Sequence, residues 1–178
     1  TRGMSSAASD VYKRQWQEFV AKVNNVLNAN YGNFVHRVLT LGARLPHDEH
    51  ESPFAPYDAH PSTDDHKASV EQAFADITTS LKAHRYKDAL NSIMAVSQLG
   101  NQILQTAAPW KHLKQPQEGH ESSLGQLAFC WRIARFLSIT TQPFMPNSAQ
   151  QLWANLGNES AVSAVSYTHL RAHETDYY

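Results

Sequence analysis

Cysteine occurs once in the 178 residues, at Cys130, so no disulfide framework can form within the chain. Strand signals are nearly absent. Alternating β-branched runs are few, and neither Asn-Gly nor Asp-Gly is present to turn a hairpin. No apolar run approaches the roughly 18–20 residues of a membrane helix, and no secretory signal precedes the fold. A cytoplasmic setting without membrane contact is therefore expected. Neither sign of charge dominates, with 15 Lys and Arg against 16 Asp and Glu, a formal net charge of −1. That excludes nucleic-acid binding by a bulk positive field and leaves only a few placed contacts for such a role. There is no Gly-rich phosphate loop, no nucleophile elbow and no carboxylate pair set beside a base, so no catalytic residue is assigned.

What the chain does have is helical periodicity, with 42 % hydrophobic residues and a mean hydropathy of −0.49. This suits one globular domain or a fragment of a larger protein. Both ends look foreign to it. Residues 1–15 and 159–178, with "SSAASDVYKRQ" and "SYTHLRAHET", resemble translated library adapters and are set apart from the domain at 16–158. Residues 16–160 keep 11 basic and 13 acidic residues, a net charge of −2.

A first long helix is expected over 16–43, with Phe19, Val23, Val26, Leu27, Phe34, Val38 and Leu41 as its stripe and Pro46 beyond its end. Residues 44–61 hold four prolines and form a long loop. A second helix starts near Ser62 or Thr63, both good caps, and carries Val70, Phe74, Ile77 and Leu81. A third spans 86–107 and stops at Pro109, with Leu90, Ile93, Met94, Ile103 and Leu104 on one face. A fourth, 122–141, presents Leu124, Leu127, Ala128, Trp131, Ala134 and Phe136. A short last helix enters at Pro146 and ends at Gly157. Such stripes cannot be buried singly. The expected fold is all-α, an up-and-down bundle of four to five helices.

Three groups of residues stand out chemically. Asn30, Asn33 and Arg37 are spaced i, i+3, i+7 and share one helix face, with Gly32 among them. Amides and a guanidinium suit the edge of an exposed base. Spacing alone equally allows a polar patch where the helix passes the end of the core. Trp110, in "AAPWK", follows a helix end beside Lys111 and Lys114. It suits stacking on an unpaired base, with the lysines on phosphate, or a place in the core. His47, His50, His60 and His66 surround the proline-rich loop, but histidines in a loop without a second ordered pair are weak metal ligands, and no metal site is assigned. Arg132 and Arg135 read as a solvated face, and Cys130 as a small core residue.

Segments 19–39 ("FVAKVNNVLNANYGNFVHRVL"), 89–111 ("ALNSIMAVSQLGNQILQTAAPWK") and 134–157 ("ARFLSITTQPFMPNSAQQLWANLG") together resemble the anticodon-binding helical domain of methionyl-tRNA synthetases, in the style of the archaeal and eukaryotic branch. The order and spacing of "GNF…R", "APWK" and "PFMP…LW…LG" carry the resemblance. It implies recognition of the CAU anticodon of methionine tRNA. In that family the positions matching Asn33, Arg37 and Trp110 contact the anticodon, with the wobble cytosine as main target. Tyr31 and His36 depart from the family's frequent leucine and asparagine, "QILQ" stands where a tyrosine often does, and the 44–61 loop is long. None of these touches the three positions.

The family's HIGH-like and KMSKS-like motifs do not occur here. The resemblance thus implies a C-terminal piece of the synthetase, non-catalytic by itself. Its cofactors, ATP with or without zinc, and its catalytic domain would lie in the missing half. Lys111 and Lys114 are the candidate phosphate contacts. A helical protein-interaction module, a metal-binding bundle and the helical domain of a leucyl or valyl synthetase are the alternatives.

Overall fold

The computed structural model describes residues 2–45, 54, 64–113 and 119–162. Among them every regular element is helical. Helix α1 (Arg2–Lys22) continues through a π-helical segment (Val23–Gly32) into α2 (Asn33–Gly42). Then come α3 (Asp64–Lys82), α4 (Tyr86–Ala107), a 3₁₀ turn (Pro109–Lys111), α5 (His120–Thr140) and α6 (Pro146–Asn155). Sequential helices are neighbours: α3 lies on α4, α4 on α5 and α5 on α6. Helix α2 lies against both α4 and α5. The all-α bundle expected from periodicity is the fold observed.

Most of the anticipated stripes line the core, but on α5 the unanticipated Ile133 and Leu137 are buried while Trp131 and Phe136 are only half-buried. Phe34, Val38, Ile77, Ile93, Leu104, Leu127, Ile133 and Leu137 are almost fully buried. Trp153 and Ala149 anchor α6, whose Pro146 occupies the first turn where its missing N–H costs nothing. Gly157 ends it in the left-handed region, φ 84°. Arg135 is exposed, as a solvated face requires, yet its guanidinium lies 5.1 Å from the Trp153 ring centroid and so braces α6. Arg132 is half-buried rather than solvated and sits over Phe129 at 5.4 Å.

The first helix departs from expectation twice. It begins at Arg2 rather than near 16, because 2–15 contains no proline and only one glycine to stop a helix. Its proposed stripe is also split. Leu27 packs against the core, but Phe19 is 55 % and Val26 39 % exposed. Two causes combine. Among the described residues helix α1 has its main contacts with the segment that continues it, and no other helix packs broadly against it. The i→i+5 bonding of Val23–Gly32 also widens the turn, and residues that would share an α-helical face drift apart before Tyr31 and Phe34 enter the core.

Two glycines fix how closely α2 approaches its neighbours. A Cβ on Gly100 of α4 would enter the Phe34 ring, and one on Gly42 would enter the Trp131 indole of α5. Gly32, by contrast, touches no other helix: a Cβ there would meet only the Leu27 carbonyl of its own π turn, at 3.3 Å. Its place is set by local winding. The expected caps Ser62 and Thr63 lie outside the described residues, as do His47, His50 and His60. Phe54, described together with Arg44 and Leu45 of the loop, is buried against Trp131, ring centroids 5.0 Å apart.

Gly100→Ala should destabilise the chain by about 1–3 kcal/mol, the usual cost of overpacking a dense core, although alanine is the better helix former. A urea midpoint equal to the parent's would show that Phe34 yields freely.

Candidate nucleic-acid interface

The site is built where α2 crosses α4. Phe34 points from α2 into the core, fully buried, and rests on the Gly100 backbone. Residues one position before it and three after it therefore flank the contact, and so do those one and five positions after Gly100. Those are Asn33, Arg37, Asn101 and Gln105. They meet as the spacing requires. Asn33 Nδ2 donates to Asn101 Oδ1 at 3.3 Å. Arg37 donates from one nitrogen to the same oxygen at 3.5 Å and from another to Gln105 Oε1 at 3.4 Å. These are long, weak bonds at a surface, suited to groups that exchange partners.

Beneath them Asn30 is bound more firmly. Its Nδ2 donates to the Met94 carbonyl at 2.9 Å, and its backbone carbonyl accepts from Asn101 Nδ2 at 3.0 Å. Asn30 braces the helix pair and belongs to the structure more than to the exposed face.

The third member arrives from the end of α4. Ala108 takes a left-handed conformation, φ 41° and ψ 50°, which costs a non-glycine residue about 1–2 kcal/mol. Pro109 then starts the 3₁₀ turn. The corner is held by Ser123 of α5, whose hydroxyl donates to the Ala107 carbonyl at 3.1 Å. The sharp turn brings Trp110 back beside α2, where it is half-buried against the core with the Arg37 guanidinium 5.2 Å from its ring centroid. Both readings of Trp110 thus hold in part: one side serves the core and the rest stays at the surface.

Asn33, Arg37 and Trp110, chosen from sequence, come together on one face. Lys111 is exposed next to Trp110, and Lys114 lies outside the described residues. Sequence reasoning missed Asn101 and Gln105. Their signal was present: 97, 101 and 105 repeat at i, i+4, i+8, one of the polar rows of the amphipathic α4.

Electrostatically the site is one cation among amides. The hydrogen-bond acceptors around Arg37 are amide oxygens, which leave its charge unneutralised. Cys130 is no part of the chemistry. It is fully buried, its thiol faces the Gly100 carbonyl at 3.8 Å, and burial pushes its pKa far above the usual thiol range against a small opposing pull from Arg37. His66 stacks on Phe129, and among the described residues no three metal-ligating side chains converge.

A family model described as the anticodon binding domain of methionyl tRNA ligase matches residues 56–171. The chain belongs to that family. A methionine–tRNA ligase of Methanopyrus kandleri is 31 % identical over 157 residues, 85 % of this chain and 21 % of that protein. One of Methanocorpusculum labreanum is 33 % identical over 142 residues, 80 % of this chain and 20 % of the relative. This anticodon-binding-domain chain therefore spans about a fifth of the length of the curated relatives it matches. The matched range includes Trp110 and begins after Arg37. Among the described residues no helix is long and apolar enough to cross a membrane.

Because Asn30 joins the π-helical segment ahead of α2 to α4 by a partly buried bond, Asn30→Ala should cost about 1 kcal/mol in urea unfolding. A loss below a few tenths would mean that Asn30 is solvated and braces nothing.

Proposed function

We propose that this domain binds the CAU anticodon loop of methionine tRNA as the anticodon-reading part of a methionine–tRNA ligase. The observation that carries the reading is the convergence of Asn33, Arg37 and Trp110 on one face, with the guanidinium over the indole. Unpaired anticodon bases splay from the loop and expose their polar edges. The indole–guanidinium pair offers a flat surface for stacking, worth about 1–3 kcal/mol per base. Arg37 and Asn33 read edges, with the wobble cytosine as target. Lys111 and Lys114 meet backbone phosphate. Specificity then needs no basic field, in keeping with a net charge of −1.

The domain binds and does not catalyse. Methionine activation, with its ATP and any zinc, belongs to the remainder of the parent ligase, which is the domain's intramolecular partner. Its cellular setting is the cytoplasm, where translation proceeds. The family match favours this reading over a protein-interaction module or a leucyl- or valyl-type domain.

Titration of a CAU anticodon stem-loop should show Arg37→Ala and Trp110→Ala each weakening binding by about 5–150-fold, corresponding to 1–3 kcal/mol, with helical content near the parent's. Equal affinity of parent and variants, or of CAU and scrambled loops for the parent, would refute the site. The chain alone should give no ATP–pyrophosphate exchange with methionine. Measurable exchange would contradict the non-catalytic assignment.

A further inference from the structure

We infer that Asn101 is a positioning residue that fixes the polarity of Asn33 and thereby sets the preference for cytosine over uracil. The inference rests on the anticodon reading above. Its starting point is that the orientation of the Asn101 amide is forced. Its nitrogen faces two backbone carbonyls, Asn30 O at 3.0 Å and Ser97 O at 3.3 Å, and also Asn30 Oδ1 at 3.3 Å. Its oxygen faces the guanidinium of Arg37 at 3.5 Å. Backbone carbonyls only accept and a guanidinium only donates, so a flipped Asn101 would oppose like groups on both sides.

That fixed oxygen then orders Asn33. Facing Asn101 Oδ1 at 3.3 Å, the exposed Asn33 amide must turn its NH2 inward. Its own carbonyl oxygen is left as the outward end. The surface therefore offers an acceptor from Asn33 beside donors from Arg37, which always remains charged. Cytosine presents an amino donor next to ring acceptors along its pairing edge. Uracil presents a carbonyl where cytosine has the amine, and an N–H where cytosine has an acceptor. Acceptor beside donor matches cytosine and opposes uracil at both positions. Were Asn33 free to flip, its NH2 would donate to the uracil carbonyl equally well, and half the discrimination would vanish.

Asn101 touches no base in this account; it acts through Asn33. The test compares CAU and UAU stem-loops binding to the full chain. The readout is the ratio of the two dissociation constants, which a loss of folded protein does not change. Asn101→Ala should lower the parent's ratio at least fivefold. In an Asn33→Ala background the same change should leave the ratio where Asn33→Ala alone puts it. A parent-like ratio in Asn101→Ala would overturn the inference. If Asn101→Ala does not fold, the side-chain amide NMR signals of the parent decide. Asn33 NH2 protons shifted from free-asparagine positions and protected from exchange with water support a pinned amide, and free-asparagine shifts with fast solvent exchange overturn it. Failure of the underlying anticodon reading looks different: the parent itself binds CAU, UAU and scrambled loops alike.

Discussion

Helices α2 and α4 touch through the Phe34 ring lying on the bare backbone of Gly100, and the interface is organised around that contact. A side chain of any size at position 100 would push the helices apart. With none there, residues flanking the contact come within hydrogen-bond range on the solvent side, where Asn33 and Arg37 meet Asn101 and Gln105. Beneath, the same approach lets Asn30 reach the Met94 carbonyl. The second close approach, Gly42 under Trp131, fixes the other end of α2 against α5. Held at both ends, α2 presents its polar edge at a defined height above the core.

The corner after α4 supplies what the helix pair lacks. An aromatic surface must stand beside Arg37 without being swallowed by the core. A left-handed Ala108, Pro109 and the Ser123 hydroxyl together reverse the chain within a few residues and deliver Trp110 there. The guanidinium over the indole joins the two sources of the site into one surface. In a domain with nearly balanced charge, recognition of this kind depends on where single groups stand, because no long-range attraction compensates for a misplaced one.

The fold was largely legible in the sequence, for a simple reason. The stripes of α3 to α6 are regular and are bounded by Pro109, Pro146 and Gly157, whose backbone preferences act locally. The first helix was misread where a non-local or unusual feature decides the outcome. Phe19 and Val26 keep helical spacing, yet burial needs a partner, and periodicity cannot say whether one is present. The π winding before Asn33 likewise leaves no clear mark in composition. For the site, Asn33, Arg37 and Trp110 were found through motif order, and their meeting in space follows the same order. Asn101 and Gln105 were overlooked because an amide on a helix reads as ordinary surface until its partners are known. Asn30 and Gly32 drew notice in the sequence, yet their roles are bracing and winding.

The chain carries four tryptophans in four different settings: Trp16 on exposed α1, Trp110 at the corner, Trp131 against α5's neighbours and Trp153 in the α6 anchor. Their indole N–H signals in a ¹⁵N-labelled sample report on four separate surfaces at once. Addition of a CAU anticodon stem-loop should shift the Trp110 signal strongly and leave those of Trp16, Trp131 and Trp153 nearly in place. A shift led by Trp16 or Trp153, or none at saturating loop, would contradict the placement of recognition at the α2–α4 crossing.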